Sequence, residues 1–333
     1  FYICTDYTRH VIFITSLITE TNGQVMKQHN TEVGKTEARK AAQKGASTNT
    51  LCWLNGNQCP PEDATLSIFD HGVLYGDGVF EGIRFYNHKP LLINDHIERL
   101  FASANSIEIT IPYSAAELIR AMTDLSEQAS FSDGYIRLVV TRGIGPIGLN
   151  PIGCGPGNVF IIATELTMMP AQAVRDGINT IIATTRRISP SALDPRIKSL
   201  NYLNNILAKQ EANRANVDEA ILLNDQNNVA EAVAENVFIV HKGKLLTPPC
   251  DDGALNGITR KTILALAQES EIPYEVSSVP EATLFAADEV FLTGTGAELI
   301  PVRSINGRLI PRCPGPIFTK LQRLYADFIQ QQS

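Results

Sequence analysis

Strand and helix patterns follow one another along this chain without the regular β-α alternation that a doubly wound parallel sheet requires. Short apolar or alternating runs predict strands near residues 51–54, 79–86, 135–141 and 158–164, with amphipathic helices between the second and third. Met-Met-Pro at 168–170 indicates a connector, after which a second series of strands and helices begins. The order of elements therefore predicts two α+β domains in succession.

Local signals mark several element boundaries. Asn55-Gly56 and Asn306-Gly307 are typical of tight hairpin turns. Ser114 and Glu117 form the pattern of a capping box at the start of one helix, and Asn94 is a candidate N-cap for the helix before it.

The expected domain limits follow from the connector and from a change of composition near residue 48. We expect a poorly ordered extension over 1–48, a small α+β domain over 49–167, a connector over 168–172 and a large domain over 173–333. An apolar run at 11–18 is too short to cross a bilayer. A targeting peptide is the alternative interpretation of the extension, so organelle targeting stays open beside a cytoplasmic location.

Charge and cysteine content exclude several classes of function. The chain carries 28 basic and 35 acidic residues, a net charge of −7, so it has no bulk attraction for nucleic acid or an anionic membrane. Its 6 cysteines form no C-x-x-C pair, which argues against a zinc site or a disulfide framework and favours a reducing compartment. We therefore expect no metal, and a small-molecule substrate held by a local basic pocket.

Residues 143–148 read GIGPIG, the G-x-G-x-x-G pattern of a dinucleotide-binding turn. Such a turn requires a helix to begin there, so that free N–H groups meet the pyrophosphate. The sequence continues LNPIGCGPG over 149–157, which cannot form a helix because of its proline and glycine content. We therefore interpret this segment as a glycine-rich loop and not as a nicotinamide-cofactor site.

Two other glycine-containing turns are candidates for phosphate binding. LNGITR at 255–260 precedes a predicted helix, whose N-terminal N–H groups attract an anion. TGTGA at 293–297 follows a predicted strand and can form a similar nest of N–H groups. Either pattern alone is more typical of an ordinary turn, but the presence of both strengthens the case for a phosphate ligand.

Six motifs occur in a characteristic order: DHGVLYGDGVFEGIR at 70–84, HIERL at 96–100, RIKSLNYLNN at 196–205, AEAVAENVF at 230–238, LNGITR at 255–260 and VFLTGTGAE at 290–298. Together they resemble the class IV, or fold-type IV, aminotransferases, which use pyridoxal 5′-phosphate (PLP), and within that family the branched-chain amino acid subgroup. The resemblance covers the chain from about residue 51 to its C-terminus, and the combination of motifs is highly specific. It implies a two-domain α+β fold like that of D-amino acid aminotransferase.

The resemblance assigns roles to residues whose chemistry suits them. Lys198 is similar to the catalytic lysine that holds the cofactor, and its amine can also move a proton between substrate and cofactor. Glu231 is similar to the carboxylate that keeps the ring nitrogen of the cofactor protonated. Outside this context each would be interpreted as an ordinary surface charge. The other cofactor-binding residues implied are Arg99, Tyr202, Leu255, Gly257, Ile258, Thr259 and Thr295.

A substrate pocket that accepts both an apolar side chain and the acidic chain of glutamate needs an apolar wall with polar groups at its rim. Strand alternation places Phe80, Gly82 and Arg84 on one face of a strand, and Tyr135 with Arg137 on one face of another. The resemblance implies that these residues bind substrate together with Tyr75, Gly296 and Ala297. It also implies a homodimer or larger homo-oligomer, in which the loop Ile147, Gly148 and Leu149 serves the partner subunit.

The favoured function is PLP-dependent transamination of leucine, isoleucine or valine with 2-oxoglutarate. A D-amino acid or amine transaminase, or an aminodeoxychorismate lyase, would use the same lysine and glutamate. Tyr135 and Arg137 argue against the D-amino acid enzyme, for which a different carboxylate trap is expected. A non-catalytic PLP-binding protein is a third hypothesis, but it leaves Lys198 and Glu231 without a purpose. Some relatives carry aromatic residues where this chain has Met168 and Met169, which leaves the preferred amino acid open.

Overall fold

The computed structural model describes residues 49–166 and 171–333, where it contains two β-sheets with helices packed on them. This mixture of elements is the predicted α+β class. The expected extension over 1–48 and the connector residues Met168 and Met169 lie outside the described residues. In the described part of the chain, no helix is both long and apolar enough to cross a membrane.

The first sheet is antiparallel throughout, with the strand order β2-β1-β6-β5-β3-β4. Its strands are β1 (Leu51–Leu54), β2 (Asn57–Cys59), β3 (Gly78–Tyr86), β4 (Lys89–Pro90), β5 (Gly134–Thr141) and β6 (Val159–Thr164). The helices in the same part of the chain are α1 (His71–Tyr75), α2 (Ile93–Ser106) and α3 (Ala115–Gln128).

The second sheet is mixed, with the order β12-β11-β10-β13-β14-β7-β8-β9 among the described residues and β15 beside β14. Its strands are β7 (Ile178–Ile182), β8 (Glu219–Leu223), β9 (Val229–Ala232), β10 (Asn236–His241), β11 (Lys244–Thr247), β12 (Tyr274–Val276), β13 (Glu289–Gly294), β14 (Glu298–Ile305) and β15 (Arg308–Leu309). The accompanying helices are α4 (Ala171–Asp176), α5 (Leu203–Arg214), α6 (Ile258–Glu269), α7 (Glu281–Phe285) and α8 (Pro316–Gln332).

Helix starts show where local signals decide a boundary. At α3 the predicted capping box is confirmed, because Ser114 accepts from the N–H of Glu117 and the Glu117 carboxylate accepts from the N–H of Ser114. The prediction for α2 was wrong, since Asn94 lies inside the first turn. Leu92, in a left-handed conformation with φ 51°, turns the chain into that helix two residues earlier.

Buried apolar side chains hold each sheet to its helices. In the first sheet, Phe85 and Ile136 pack with Leu100 of α2 and Met122 of α3. In the second, Phe238, Phe291 and Phe318 join β10, β13 and α8, with ring centroids 5.2 and 5.6 Å apart. These cores fix the ends of β3, β10 and β13, from which the site residues project.

The glycine-rich loop is a further confirmed prediction. No helix forms over residues 149–157, and Ile144 forms a single β-bridge with Asp70. Gly143 and Gly148 adopt φ values of 93° and 136°, which residues with side chains rarely adopt.

Candidate active site

Residues of both sheets line one cavity of about 620 Å³. The wall includes many of the residues that the sequence predicted for cofactor or substrate binding. They are Phe80, Gly82, Arg99, Tyr135, Arg137, Lys198, Tyr202, Leu255, Gly257, Ile258, Thr259, Thr295, Gly296 and Ala297.

Lys198 stands in this wall on a segment that is held by backbone contacts. Its carbonyl accepts from the N–H of Phe80, and its own N–H donates to Oγ of Ser103. Nζ of Lys198 donates to the hydroxyl of Tyr202 at 3.2 Å and lies 4.5 Å from the centroid of the Phe80 ring. The amine therefore faces the cavity between two aromatic rings.

Glu231, on β9, lies beside this lysine in a smaller cavity of about 20 Å³ that Lys198, Tyr202 and Leu255 also line. Its Oε1 pairs with Arg187 at 3.0 Å, and its Oε2 accepts from the N–H of Leu255 at 2.7 Å. Burial raises the pKa of Glu231, while the Arg187 guanidinium opposes that rise by favouring the charged form.

Arg187 was not predicted from the sequence. Besides Glu231, its guanidinium contacts the carbonyl of Gly253 and Oδ1 of Asn205, at 3.0 and 3.1 Å. Three acceptors from three segments therefore fix its orientation. Nothing in the local sequence separates it from its exposed neighbour Arg186.

The far end of the cavity is formed by the start of α6. Gly257 is the N-cap and provides no side-chain acceptor, so the N–H groups of Ile258 and Thr259 remain directed towards the cavity end. A side chain at Gly257 is excluded, because its Cβ would lie 2.0 Å from Oδ1 of Asn236. The backbone can therefore approach a ligand closely at this point.

Arg99, on α2, reaches the same end of the cavity and is held from behind. Its Nε and Nη2 bind the two oxygens of Glu81, both at 2.7 Å, and its Nη1 donates to the carbonyl of Asn256 at 3.1 Å. His96 contacts the same carboxylate through Nδ1 at 2.7 Å. Burial alone would raise the pKa of Glu81, but the charge and hydrogen bonds of Arg99, with those of His96, lower it to about 2.

The pairing of β3 with β5 builds the opposite wall. Gly82 is the cross-strand partner of Arg137, and Arg84 is that of Tyr135, so the two predicted groups share one face of the sheet. The Tyr135 hydroxyl occupies the space over Gly82, where a Cβ would lie 2.0 Å from it. The Arg137 guanidinium lies 4.5 Å above the Phe80 ring.

The remaining predicted residues lie outside the cavity wall. Tyr75 accepts a hydrogen bond from the N–H of Gly148 at 2.8 Å, so it contacts the loop that includes Ile147 and Leu149, which are 78 % and 83 % exposed. Arg84 is buried, and its Nη1 donates to the carbonyl of Gly296 at 3.5 Å.

Glu298 connects the two sheets beside the turn at residues 294–297. Its Oε1 accepts from the Tyr86 hydroxyl at 2.7 Å and lies 3.9 Å from Nη2 of Arg84. Its backbone has φ 54°, in the left-handed region. Two residues of β3 therefore hold the turn formed by residues 294–297.

Several cavity-lining residues were missed in the sequence. They include Val139, Leu166, Leu200, Ile206, Ala234, Glu235, Asn236, Thr293 and Gly294. Burial, with repulsion from Glu219, raises the pKa of Glu235 to about 7. Six of these residues fall inside the motifs identified in the sequence, although their role was not visible there: Leu200, Ala234, Glu235, Asn236, Thr293 and Gly294.

Comparisons with known proteins show which family this chain belongs to. The model of the family described as amino-transferase class IV matches residues 78–305. A Methanocaldococcus jannaschii protein, provisionally named branched-chain-amino-acid aminotransferase, is 45 % identical over 276 residues, covering 83 % of this chain and 95 % of that protein. The crystal structure of the Escherichia coli branched-chain amino acid aminotransferase has a TM-score of 0.82 and 32 % identity, covering 85 % of this chain and 95 % of that one.

A third similar protein was solved with a bound ligand. It is the T.th. branched-chain amino acid aminotransferase complexed with N-(5′-phosphopyridoxyl)-L-glutamate. Its TM-score is 0.81 at 32 % identity, with 86 % of this chain and 96 % of that one covered.

Proposed function

This chain belongs to the class IV aminotransferase family, and we propose that it transfers the amino group of leucine, isoleucine or valine to 2-oxoglutarate. The observation that carries the proposal is the position of Lys198. Its Nζ faces the cavity beside Tyr202 and Phe80, at 3.2 Å from the Tyr202 hydroxyl.

The cofactor of this family is PLP, and the residues present fit it. Arg99 and the open helix start at Ile258 and Thr259 offer positive charge and N–H donors for a phosphate group. Gly257 leaves the space that a Cβ would fill. Glu231 lies at the other side of Lys198. It is a buried carboxylate that can accept a hydrogen bond from the protonated ring nitrogen of the cofactor.

PLP, when bound, supplies an aldehyde for the amino group and a ring that accepts carbanion charge. Nζ of Lys198 is placed to take up the α-proton of an amino acid and to release it again. The Tyr202 hydroxyl orients that amine, and Arg187 favours the charged form of Glu231 against the effect of burial. Leu255 and Phe80 exclude water from the apolar side of the cavity.

The side chains of the cavity suit two kinds of substrate in turn, one with an apolar side chain and one with an acidic side chain. Phe80, Tyr135 and Val139 offer apolar surface, while Arg137 offers a cation for a second carboxylate. The N–H groups of Gly296 and Ala297 are the proposed partners of the α-carboxylate. The ligand of the T.th. enzyme contains glutamate, which supports glutamate as the second amino acid.

We also propose a homodimer or larger homo-oligomer. The loop from 144 to 152 exposes four large apolar side chains, and such a patch is unfavourable in water unless it is covered. They are Ile144, Ile147, Leu149 and Ile152, exposed by 51 to 83 %. Dimer and hexamer would be distinguished by light scattering of the purified protein.

The decisive experiment is an absorbance spectrum of the purified protein with PLP, before and after addition of L-leucine or D-alanine. L-leucine is expected to convert the band of lysine-bound PLP to that of the amino form, and 2-oxoglutarate to restore it. A response to D-alanine alone would move the function to a D-amino acid transaminase. The Lys198→Ala variant should bind PLP weakly and give no turnover, and normal activity in that variant would refute the role of Lys198.

A further inference from the structure

Thr293, on β13, carries a hydroxyl that the structure leaves without a partner. The residue is 1 % exposed and lines the main cavity. Its Oγ1 forms no hydrogen bond with any atom of residues 49–166 or 171–333. Because a buried hydroxyl without a partner is unfavourable, such an atom at a cavity wall is suited to bind a ligand that enters the cavity.

The strand pairing shows which part of the cavity this hydroxyl faces. Thr293 is the cross-strand partner of Asn236, so the two side chains project from the same face of the sheet. Nδ2 of Asn236 donates to the carbonyl of Leu255 at 2.8 Å, and its Oδ1 abuts Gly257. Thr293 therefore stands beside the turn that leads into α6.

The other polar groups at this end of the cavity are suited to an anion. Nη1 of Arg99 donates to the carbonyl of Asn256 in the same turn. The N–H groups at the start of α6 lack a side-chain cap among the described residues. Thr295 lines the cavity two residues beyond Thr293. A hydroxyl among these groups is best satisfied as a donor to an oxygen of the same anion.

We propose that Oγ1 of Thr293 donates a hydrogen bond to the phosphate group of PLP and helps the site to select the phosphorylated cofactor over pyridoxal. The inference rests on the cofactor site proposed above. It adds to that site the side chain of Thr293, a residue that the sequence placed at the start of a candidate nest of N–H groups without giving its hydroxyl a role.

The test compares Thr293→Val, which keeps the shape and removes the hydroxyl, with Thr293→Ser, which keeps the hydroxyl. Dissociation constants of the apoprotein for PLP and for pyridoxal are measured by absorbance titration. Thr293→Val should weaken PLP binding by about tenfold and leave pyridoxal binding within about twofold, because only PLP has the phosphate acceptor. Thr293→Ser should bind both as the original chain does.

Thermal unfolding provides a readout that does not depend on activity. Without cofactor, Thr293→Val should unfold at the same or a higher temperature, because it removes an unpaired buried hydroxyl. With PLP, or with inorganic phosphate as a probe, the same variant should gain less stability than the original chain. A structural role alone would lower the unfolding temperature in both states and would overturn the proposal.

These measurements separate a failure of the proposed phosphate site from a failure of the role proposed for Thr293. If the original chain binds PLP and pyridoxal equally well, the phosphate site itself is wrong. If the original chain prefers PLP and Thr293→Val keeps that preference, only the role of Thr293 is wrong. A rise in the KM for L-leucine with unchanged PLP affinity would also overturn the proposal, since it would place the hydroxyl on the substrate carboxylate.

Discussion

Nη2 of Arg187 lies 3.0 Å from Oε1 of Glu231, a residue that is 6 % exposed. A carboxylate so buried would tend to take up a proton, and burial does raise the pKa of Glu231. The Arg187 guanidinium opposes this by stabilising the charged form. The pair therefore sets the protonation state of the group that is proposed to face the cofactor ring nitrogen.

Arg187→Gln should leave Glu231 without its counter-ion. Because the pKa of Glu231 then rises further, the acid limb of the rate of the L-leucine half-reaction should move to higher pH. The measurement is single-turnover absorbance across a pH series. Arg186→Gln, at the exposed neighbouring position, is the matched control and should leave the profile unchanged. An unshifted profile in Arg187→Gln would show that Glu231 does not depend on this pair.

Glu81→Gln tests the buried contact with Arg99. Glu81 has a pKa of about 2 in the folded chain, below its ordinary 4.5, so its charge stabilises the fold above pH 4.5. That contribution is lost as pH falls from 4.5 through about 2. The variant should lose about 3 kcal/mol of stability at pH 7, with a smaller loss in acid. Urea unfolding at several pH values measures the loss of stability at pH 7 and the smaller loss in acid. Glu98→Gln, on the exposed face of α2, is the control.

Gly82→Ala should displace Tyr135, because the new methyl group would lie 2.0 Å from the Tyr135 hydroxyl. We expect kcat/KM for L-leucine to fall by about 10- to 100-fold, while the spectrum of bound PLP is retained. Gly155→Ala, whose added methyl group meets only the carbonyl of Ile144 at 3.6 Å, should have no such effect. Equal activities in the two variants would show that the position of Tyr135 does not limit catalysis.

The carboxyl group of Glu235 should make kcat/KM for 2-oxo acids depend on pH near and above neutrality. With a pKa raised to about 7, it gains a negative charge in the cavity wall as pH rises through neutrality. Because 2-oxo acids are anions, their kcat/KM should fall over the same interval. Glu235→Gln should remove this fall of kcat/KM with pH. Asp225→Asn, at an exposed turn, should retain it. Identical steady-state profiles for Glu235→Gln and the original chain would contradict this role.

Local signals predicted most of the elements, since a helix cap or a tight turn is decided by a few neighbouring residues. Ser114 with Glu117 and Asn55-Gly56 are examples that the structure confirms. The prediction of Asn94 as an N-cap was wrong, because the left-handed conformation of Leu92 carries no strong sequence signal. Sequence alternation could assign side chains to a strand face but not decide which strands pair.

The charged groups behind the site were the hardest to predict. Glu81 and Arg187 are separated along the chain from the residues they contact, so each resembles an ordinary solvated charge. Thr293 lies in a quoted motif, but a threonine near a strand end is common for packing reasons alone. The pairing of β3 with β5, which places Arg137 above Phe80, is equally non-local.

The bonds from Tyr86 and Arg84 to Glu298 join positions that lie more than two hundred residues apart in the chain. A substitution at any one of the three therefore changes the conditions under which the other two are tolerated. The halves of this protein are matched to each other and are not interchangeable modules. A chimaera that takes its first sheet from one relative and its second from another should work only when these three positions are inherited together.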